Sequence, residues 1–396
     1  MNNFIRSQNN QSHIFVFNGK GTTYFIICLA NLCLSIITLG IYTPWAIVKC
    51  RRYIYQNMTL NGQPFVYKAT GGAIFVSFLL LMMIYIVSVY LVAHGSHVLG
   101  FTLLGLLMMS IPLMAIKSLQ YQAMMTSLNG VRFGFECSKL QAWLSMLLLP
   151  VLLTLVSWGV VYLLWLATEW LEGSTGFAFR VILMALAGVV GMGATYGITY
   201  GKWMQLIGNG ANFGIHGFAI KVNLKACVMD CVKSSLSFLP FIVVSGYLIA
   251  PIFLQMVMFS MTGVDDNAFL LEHKSRITAC YVLYFLGVMV FVSNLYVTIR
   301  NLFLNNLMLA KRNITFHSSV TAHGMLLRLL TVIFISGITL GLAYPWMKMW
   351  LVAWLASNTH VRGDLDSLAL TNTDTELQTG PAMWVSRGVM AYFPLI

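Results

Sequence analysis

The sequence predicts an all-α polytopic membrane protein: six transmembrane helices as three hairpins, flanked by two helical units broken by Gly and Pro, with small cytoplasmic turn and strand modules. Three observations predict it. The chain of 396 residues is 59% hydrophobic and only 9% charged, against roughly 25% charged residues in soluble domains. Uncharged apolar runs at 21–48, 69–93, 98–116, 140–168, 181–201, 234–264, 277–299 and 329–347 reach the roughly 20 residues that cross a hydrocarbon core about 30 Å thick. Basic residues gather in alternate loops, which therefore stay in the cytoplasm.

The polar start, "MNNFIRSQNNQSHIFVFNGKG", lacks a short apolar core followed by a small-residue cleavage site, so a secretory signal is not expected. The inward loops carry Lys49, Arg51, Arg52 and Lys68; Lys117, Arg132 and Lys139; Lys202, Lys221, Lys225 and Lys233; and Arg300, Lys311, Arg312 and Arg328. Between them, "HGSH" at 94–97, "EWLEGSTG" at 169–176 and "GVDDNAFLLEHK" at 263–274 face outward. The formal charge of +12 is thus a topology signal, and no nucleic-acid partner is expected.

A small module recurs in the inward loops. "LNGQPFVY" at 60–67 returns as "LNGVRFGF" at 128–135 and, more loosely, as "GNGANFGI" at 208–215. Asn61-Gly62, Asn129-Gly130 and Asn209-Gly210 are the expected cytoplasmic turns, because Asn-Gly tolerates positive φ at both turn positions. "NITFHSSV" at 313–320 keeps the Phe without Asn-Gly, and "HVRGDLDSL" at 360–368 keeps the Gly without the aromatic. These marks divide the chain into an N-terminal module (1–68), three membrane hairpins (69–312), a second broken unit (313–363) and a tail (364–396) that is polar and then apolar.

The two broken units carry nearly the same letters, "TLGIYTPW" at 38–45 and "TLGLAYPW" at 339–346. Gly40 and Gly341 weaken a helix, and Pro44 and Pro345 each remove an amide donor. If the modules on both flanks of each unit belong to one cytoplasmic layer, the unit starts and finishes on one side, as a re-entrant or interfacial element. An ordinary kinked span is the alternative.

The stretch "FVFNGKGTTYFIICLANLCLSIITLGIYTPWAIVKCRRYIYQNMTLNGQPFVYKATG", with its downstream copies, resembles the YjgN-like family of bacterial inner-membrane proteins over the full length. That family is described as of unknown function. The resemblance implies a multi-pass location in the bacterial inner membrane and supplies no catalytic residues.

Lys49, Arg51, Arg52 and Trp45 are the candidate site for an anionic lipid or ligand headgroup, since Lys and Arg near a membrane surface attract phosphates and Trp favours headgroup depth. Gly193, Gly197 and Gly201 make a smooth helix face for close packing, within the chain, in a homo-oligomer or against a membrane-protein partner. Pro112, Pro150, Pro240 and Pro251 bend membrane runs, and Ser157, Thr195 and Thr199 offer hydroxyls for a neutral pathway.

The sequence has no hydrolase elbow, HExxH or phosphate loop, and the adjacent Asp265 and Asp266 point different ways on any regular element. An enzyme is not expected. Nor are a cofactor or metal: Cys227 and Cys231 share a helix face without further ligands at metal-site spacing, and His94 with His97 is a weak pair. No acidic or basic residue falls near the middle of the six spans, which argues against ion-coupled transport. The functional expectation is transport of a small or amphipathic solute, or lipid handling. The alternative is a scaffold or accessory subunit that moves nothing.

Overall fold

The computed structural model describes residues 12–171, 173–262, 267–310, 313–363, 380–389 and 391. Strand β1 (Ser12–Phe17) leads into helices α1 (Gly21–Ile37) and α2 (Thr43–Asn57), which return the chain to β2 (Met58–Leu60). A tight turn joins β2 to β3 (Gln63–Tyr67), and helices α3 (Gly71–Ala93) and α4 (His97–Met124) lead to β4 (Thr126–Leu128) and β5 (Val131–Phe135). The third excursion is α5 (Lys139–Trp143), a π-helical turn (Leu144–Leu148), α6 (Leu149–Ala167) and α7 (Gly173–Gly210), ending at β6 (Ala211–Phe213) and β7 (His216–Ile220). The fourth comprises α8 (Leu224–Leu236), α9 (Leu239–Thr262), α10 (Asn267–Glu272) and α11 (Lys274–Asn306), and ends at β8 (Leu307–Leu309) and β9 (Ile314–Ser318). The fifth, α12 (Ala322–Ile338) and α13 (Tyr344–Ser357), returns to β10 (Thr359–Arg362); a short helix α14 (Pro381–Ser386) follows.

These strands close into one antiparallel barrel in the order β1-β10-β9-β8-β7-β6-β5-β4-β3-β2. The all-α expectation is therefore corrected: the turn and strand modules adjoin as staves of one closed barrel. Isolated hairpins this short are marginal in water, and closure gives every strand two neighbours and leaves no edge. Residues 1–68, 69–312 and 313–363 all contribute strands to it, so the barrel ties those stretches together.

The register explains its shape. Phe15 pairs with Leu60, while Leu60 pairs on its other side with Gln63, two residues short of Phe65. The same two-residue step recurs at β4·β5, β6·β7, β8·β9 and β10·β1. Five such steps give a shear of ten for ten strands. One residue of shear per strand is also the ratio of an eight-stranded barrel with shear eight, so these strands tilt by about 36°. All tight turns lie at one rim, and all helical excursions rise from the other.

Among the described residues, six helices are long and apolar enough to cross a membrane: 71–93, 97–124, 139–167, 175–210, 224–253 and 274–306. They form the second, third and fourth excursions. The first and fifth are shorter, built on helices of 17 residues. At their tips the backbone repeats atom for atom. Leu39 and Leu340 both sit at φ 51°, followed by Gly40 at 89° and Gly341 at 88°. Gly40 N–H donates to Ser35 O and Gly341 N–H to Ser336 O, each at 2.7 Å, which is the 6→1 bond of a Schellman helix end. The Thr38 hydroxyl donates to Leu34 O and accepts from Tyr42 N–H; Thr339 does the same with Ile335 and Ala343. Pro44 and Pro345 fall in the first turn of the second helix, where no amide donor is missed.

Trp45 and Trp346, next to these prolines, lock neighbouring excursions together. Trp45 lies on Gly71 and its ring centroid is 5.2 Å from Phe75; Trp346 lies on Gly21 with its centroid 4.3 Å from Phe25.

Candidate functional site: an apolar ring in the barrel lumen

Burial alternates along β1 and β7, as it must where every second side chain of a strand faces the lumen. At one register each odd strand contributes a phenylalanine and each even strand its apolar partner: Phe15 with Leu60, Phe65 with Leu128, Phe133 with Phe213, Phe218 with Leu309, and Phe316 with Val361. The aromatic rings touch in sequence around the wall, with centroids 6.1 Å apart for Phe15–Phe65, 6.3 Å for Phe65–Phe133, 4.8 Å for Phe133–Phe213 and 6.0 Å for Phe218–Phe316. All ten line a cavity of about 300 Å³. Eight strands already leave an interior that side chains nearly fill, so a ten-stranded barrel has room to spare.

Polar groups stand among apolar ones on either side of this neck. Toward the turn rim the lumen positions are His13, Gln63, Val131, His216 and Ile314. Toward the helices, Arg300 from α11 reaches the cavity wall and donates through Nη2 to Thr359 Oγ1 at 2.8 Å and to Leu355 O at 3.4 Å. Tyr67, one layer above Phe65, donates to Gln122, and burial pushes its phenol up to about 12 although Arg51 opposes the shift.

Arg51 is only 8% exposed, and its guanidinium donates to Gln122 Oε1 at 2.8 Å and to Ala391 O at 3.0 Å. Residues 383–389 and Ala391 are thus seated against the barrel's helix side. Gln122 and Ser118 donate to Arg387 O, Ser77 donates to Val385 O, and Met383 and Ala391 join the barrel core. Residues 364–379, the polar part of the tail, lie outside the described residues, as do Asp265 and Asp266.

The residues expected to hold a headgroup do not converge. Lys49 is exposed with Nζ 5.2 Å from the Tyr42 ring, Arg51 is buried as above, Arg52 donates to Ala69 O, and Trp45 packs on Gly71. Asn61-Gly62 and Asn129-Gly130 occupy the tight turns, all at positive φ. Asn209 and Gly210 instead end α7, where Asn209 Oδ1 accepts from Ile220 N–H, and the third turn falls at Gly214-Ile215. Gly193, Gly197 and Gly201 meet α8: a Cβ would lie 2.7 Å from Val232 Cα at the first and 2.5 Å from Val228 Cα at the second. Ser157 and Thr195 hydroxyls lie 3.3 Å apart beside a cavity of about 720 Å³ between α6 and α7, which Thr199 also lines.

Sequence reading missed the ring and Arg300. The signal was present in the aromatic of each module, but it needed pairing across the barrel to become a site. Arg300 was absorbed into the count of basic loop residues.

The fold and the site define a polytopic helical membrane protein assembled on a closed strand barrel. The profile of the family described as "Bacterial protein of unknown function (DUF898)" matches residues 12–383, and the chain belongs to that family. It is 59% identical over 398 residues to the inner membrane protein YjgN of Salmonella typhimurium strain LT2, covering all of both chains. It is 39% identical to the proteins of that name from Escherichia coli O157:H7 and strain K12, over 388 and 390 residues, with 97% of each chain covered. No solved structure matches. The protein is accordingly a multi-pass inner-membrane protein.

Proposed function

We propose that the protein is an uncoupled conduit for a small or amphipathic solute, gated where the barrel axis passes the apolar ring. The observation that carries this reading is the ring itself, with a side chain from every strand converging on one neck, and with His13, Gln63 and His216 on its turn-rim side and Arg300 on its helix side. An apolar constriction of this kind blocks water and ions by dewetting, and it opens when the wall moves or an apolar solute fills it. The lumen positions named above include no carboxylate, which fits movement down a gradient and not coupling to protons.

In this reading the first and fifth excursions are re-entrant. Leu39 and Leu340 are each 93% exposed at the tips, and Ile37, Ile41, Ile338 and Leu342 beside them are exposed as well. Leucine in left-handed conformation costs roughly 1 kcal/mol, where Gly or Asn would serve in water. Hydrocarbon around the tips accounts for the choice, and the threonine hydroxyls satisfy backbone groups that lipid leaves bare. Both termini then lie in the cytoplasm. The competing scaffold loses its best surface, because α8 already covers the face of Gly193, Gly197 and Gly201.

The test is flux from liposomes carrying the purified protein. Small organic solutes are expected to leave faster than from empty vesicles, without any imposed proton gradient. Rates equal to empty vesicles for neutral, anionic and labelled lipid probes alike would remove the conduit and favour the scaffold.

A further inference from the structure

We infer that the barrel cavity is a binding site for an amphipathic organic anion, whose carboxylate or similar head meets Arg300 while its hydrocarbon lies against the phenylalanine ring. The inference deepens the conduit reading by naming a solute class, and it stands on charge and shape at this one cavity.

Arg300 is the cation in the cavity wall; every other lining side chain is apolar except Thr359. Among the described residues its buried Nε has no acceptor, and no carboxylate lies within salt-bridge distance of the guanidinium. The bonds from Nη2 to Thr359 and Leu355 hold the side chain at the helix-side end of the cavity. A cation beside an apolar cavity is costly unless an anion reaches it, and a guanidinium suits a two-oxygen head better than an ammonium would.

Arg51 precedes β2 by the same seven residues by which Arg300 precedes β8, so the two stand at matching places above the barrel. Arg51 is taken up by Gln122 and the C-terminal segment, whereas Arg300 borders the cavity. A volume of about 300 Å³ sits at the small end of ligand sites. A single short alkyl chain suits it better than a two-chain lipid.

Saturable binding of radiolabelled octanoate to the full-length protein in nanodiscs, corrected for empty nanodiscs, tests the site. Unlabelled octanoate is expected to compete at least about tenfold better than octanol or octylammonium, the factor a charge-assisted hydrogen bond supplies. Arg300→Gln should lose the same factor for octanoate and leave octanol unchanged, while Arg300→Lys should recover part of it. Equal competition by the three probes on the wild-type protein overturns the inference whether or not the variants fold. So does octanoate binding in Arg300→Gln as tight as in wild type, or no saturable binding at all. Octanoate binding without liposome flux would keep the site and remove the conduit, so the two claims fail separately.

Discussion

Trp45 and Gly71 are in contact across two helical excursions, so closely that a Cβ on Gly71 would lie 2.8 Å from Trp45 Cα. The neighbouring Gly72 has open space where its Cβ would go. Gly71→Ala should therefore destabilise the protein by about 1–3 kcal/mol, the usual cost of overpacking. Gly72→Ala should stay within about 0.5 kcal/mol of wild type. Thermal unfolding in detergent compares them, and equal midpoints would mean the Trp45 contact is not a constraint.

The proposed re-entrant course of the first and fifth excursions makes a labelling prediction. In a protein cleared of native cysteines, Leu39→Cys and Leu340→Cys should resist membrane-impermeant maleimide from both sides of the membrane and react once detergent is added. Asn18→Cys, beside the barrel, should react from the cytoplasmic side only. Labelling of position 39 or 340 from the outside in intact cells would show that the tips cross.

Tyr67 predicts an alkaline weakness. Its folded phenol holds its proton to about 12 because of burial, whereas an unfolded tyrosine loses it near pH 10. The native state therefore binds the proton more tightly. Stability is fully present below about pH 10 and falls as pH rises from there toward about 12, by on the order of 2–3 kcal/mol. Tyr67→Phe should flatten that part of the pH–stability curve. An unchanged slope in the variant would remove Tyr67 as its source.

Directly after β8, Ala310 sits at φ 52°, nearly the angle that Asn61 and Asn129 hold directly after β2 and β4. Ala310→Gly should stabilise the fold by about 1 kcal/mol, since glycine carries no Cβ penalty there. A lower unfolding midpoint for the variant would contradict this.

How much the sequence disclosed depended on the range of the interactions. The six spans and the two broken units were legible because apolar length, glycine and proline act locally. Asn61-Gly62 and Asn129-Gly130 were legible for the same reason. At the third hairpin the Asn-Gly pair misled: a helix continues through Asn209 and Gly210, and the turn moved to Gly214. The barrel was hidden because strands of three to six residues are too short to show alternation, and β1 closes on β10 from the opposite end of the chain. The segment at 360–368 lacked an aromatic because β10 is an even strand, whose inward residue Val361 is the partner of Phe316. Arg300 looked like one basic loop residue among many until the fold placed it on the cavity wall.

The central claim, that the ring is the gate, is tested most directly by solute flux through Phe65→Asn compared with Val66→Asn in liposomes. Phe65 faces the lumen, and Val66, its neighbour, is 37% exposed on the outer face. A polar group in a dewetted neck lets water in, so Phe65→Asn should raise leakage of small ions and solutes by an order of magnitude or more over wild type. Val66→Asn should leave it unchanged. Equal leakage in wild type and both variants, with the barrel still folded, would contradict the account.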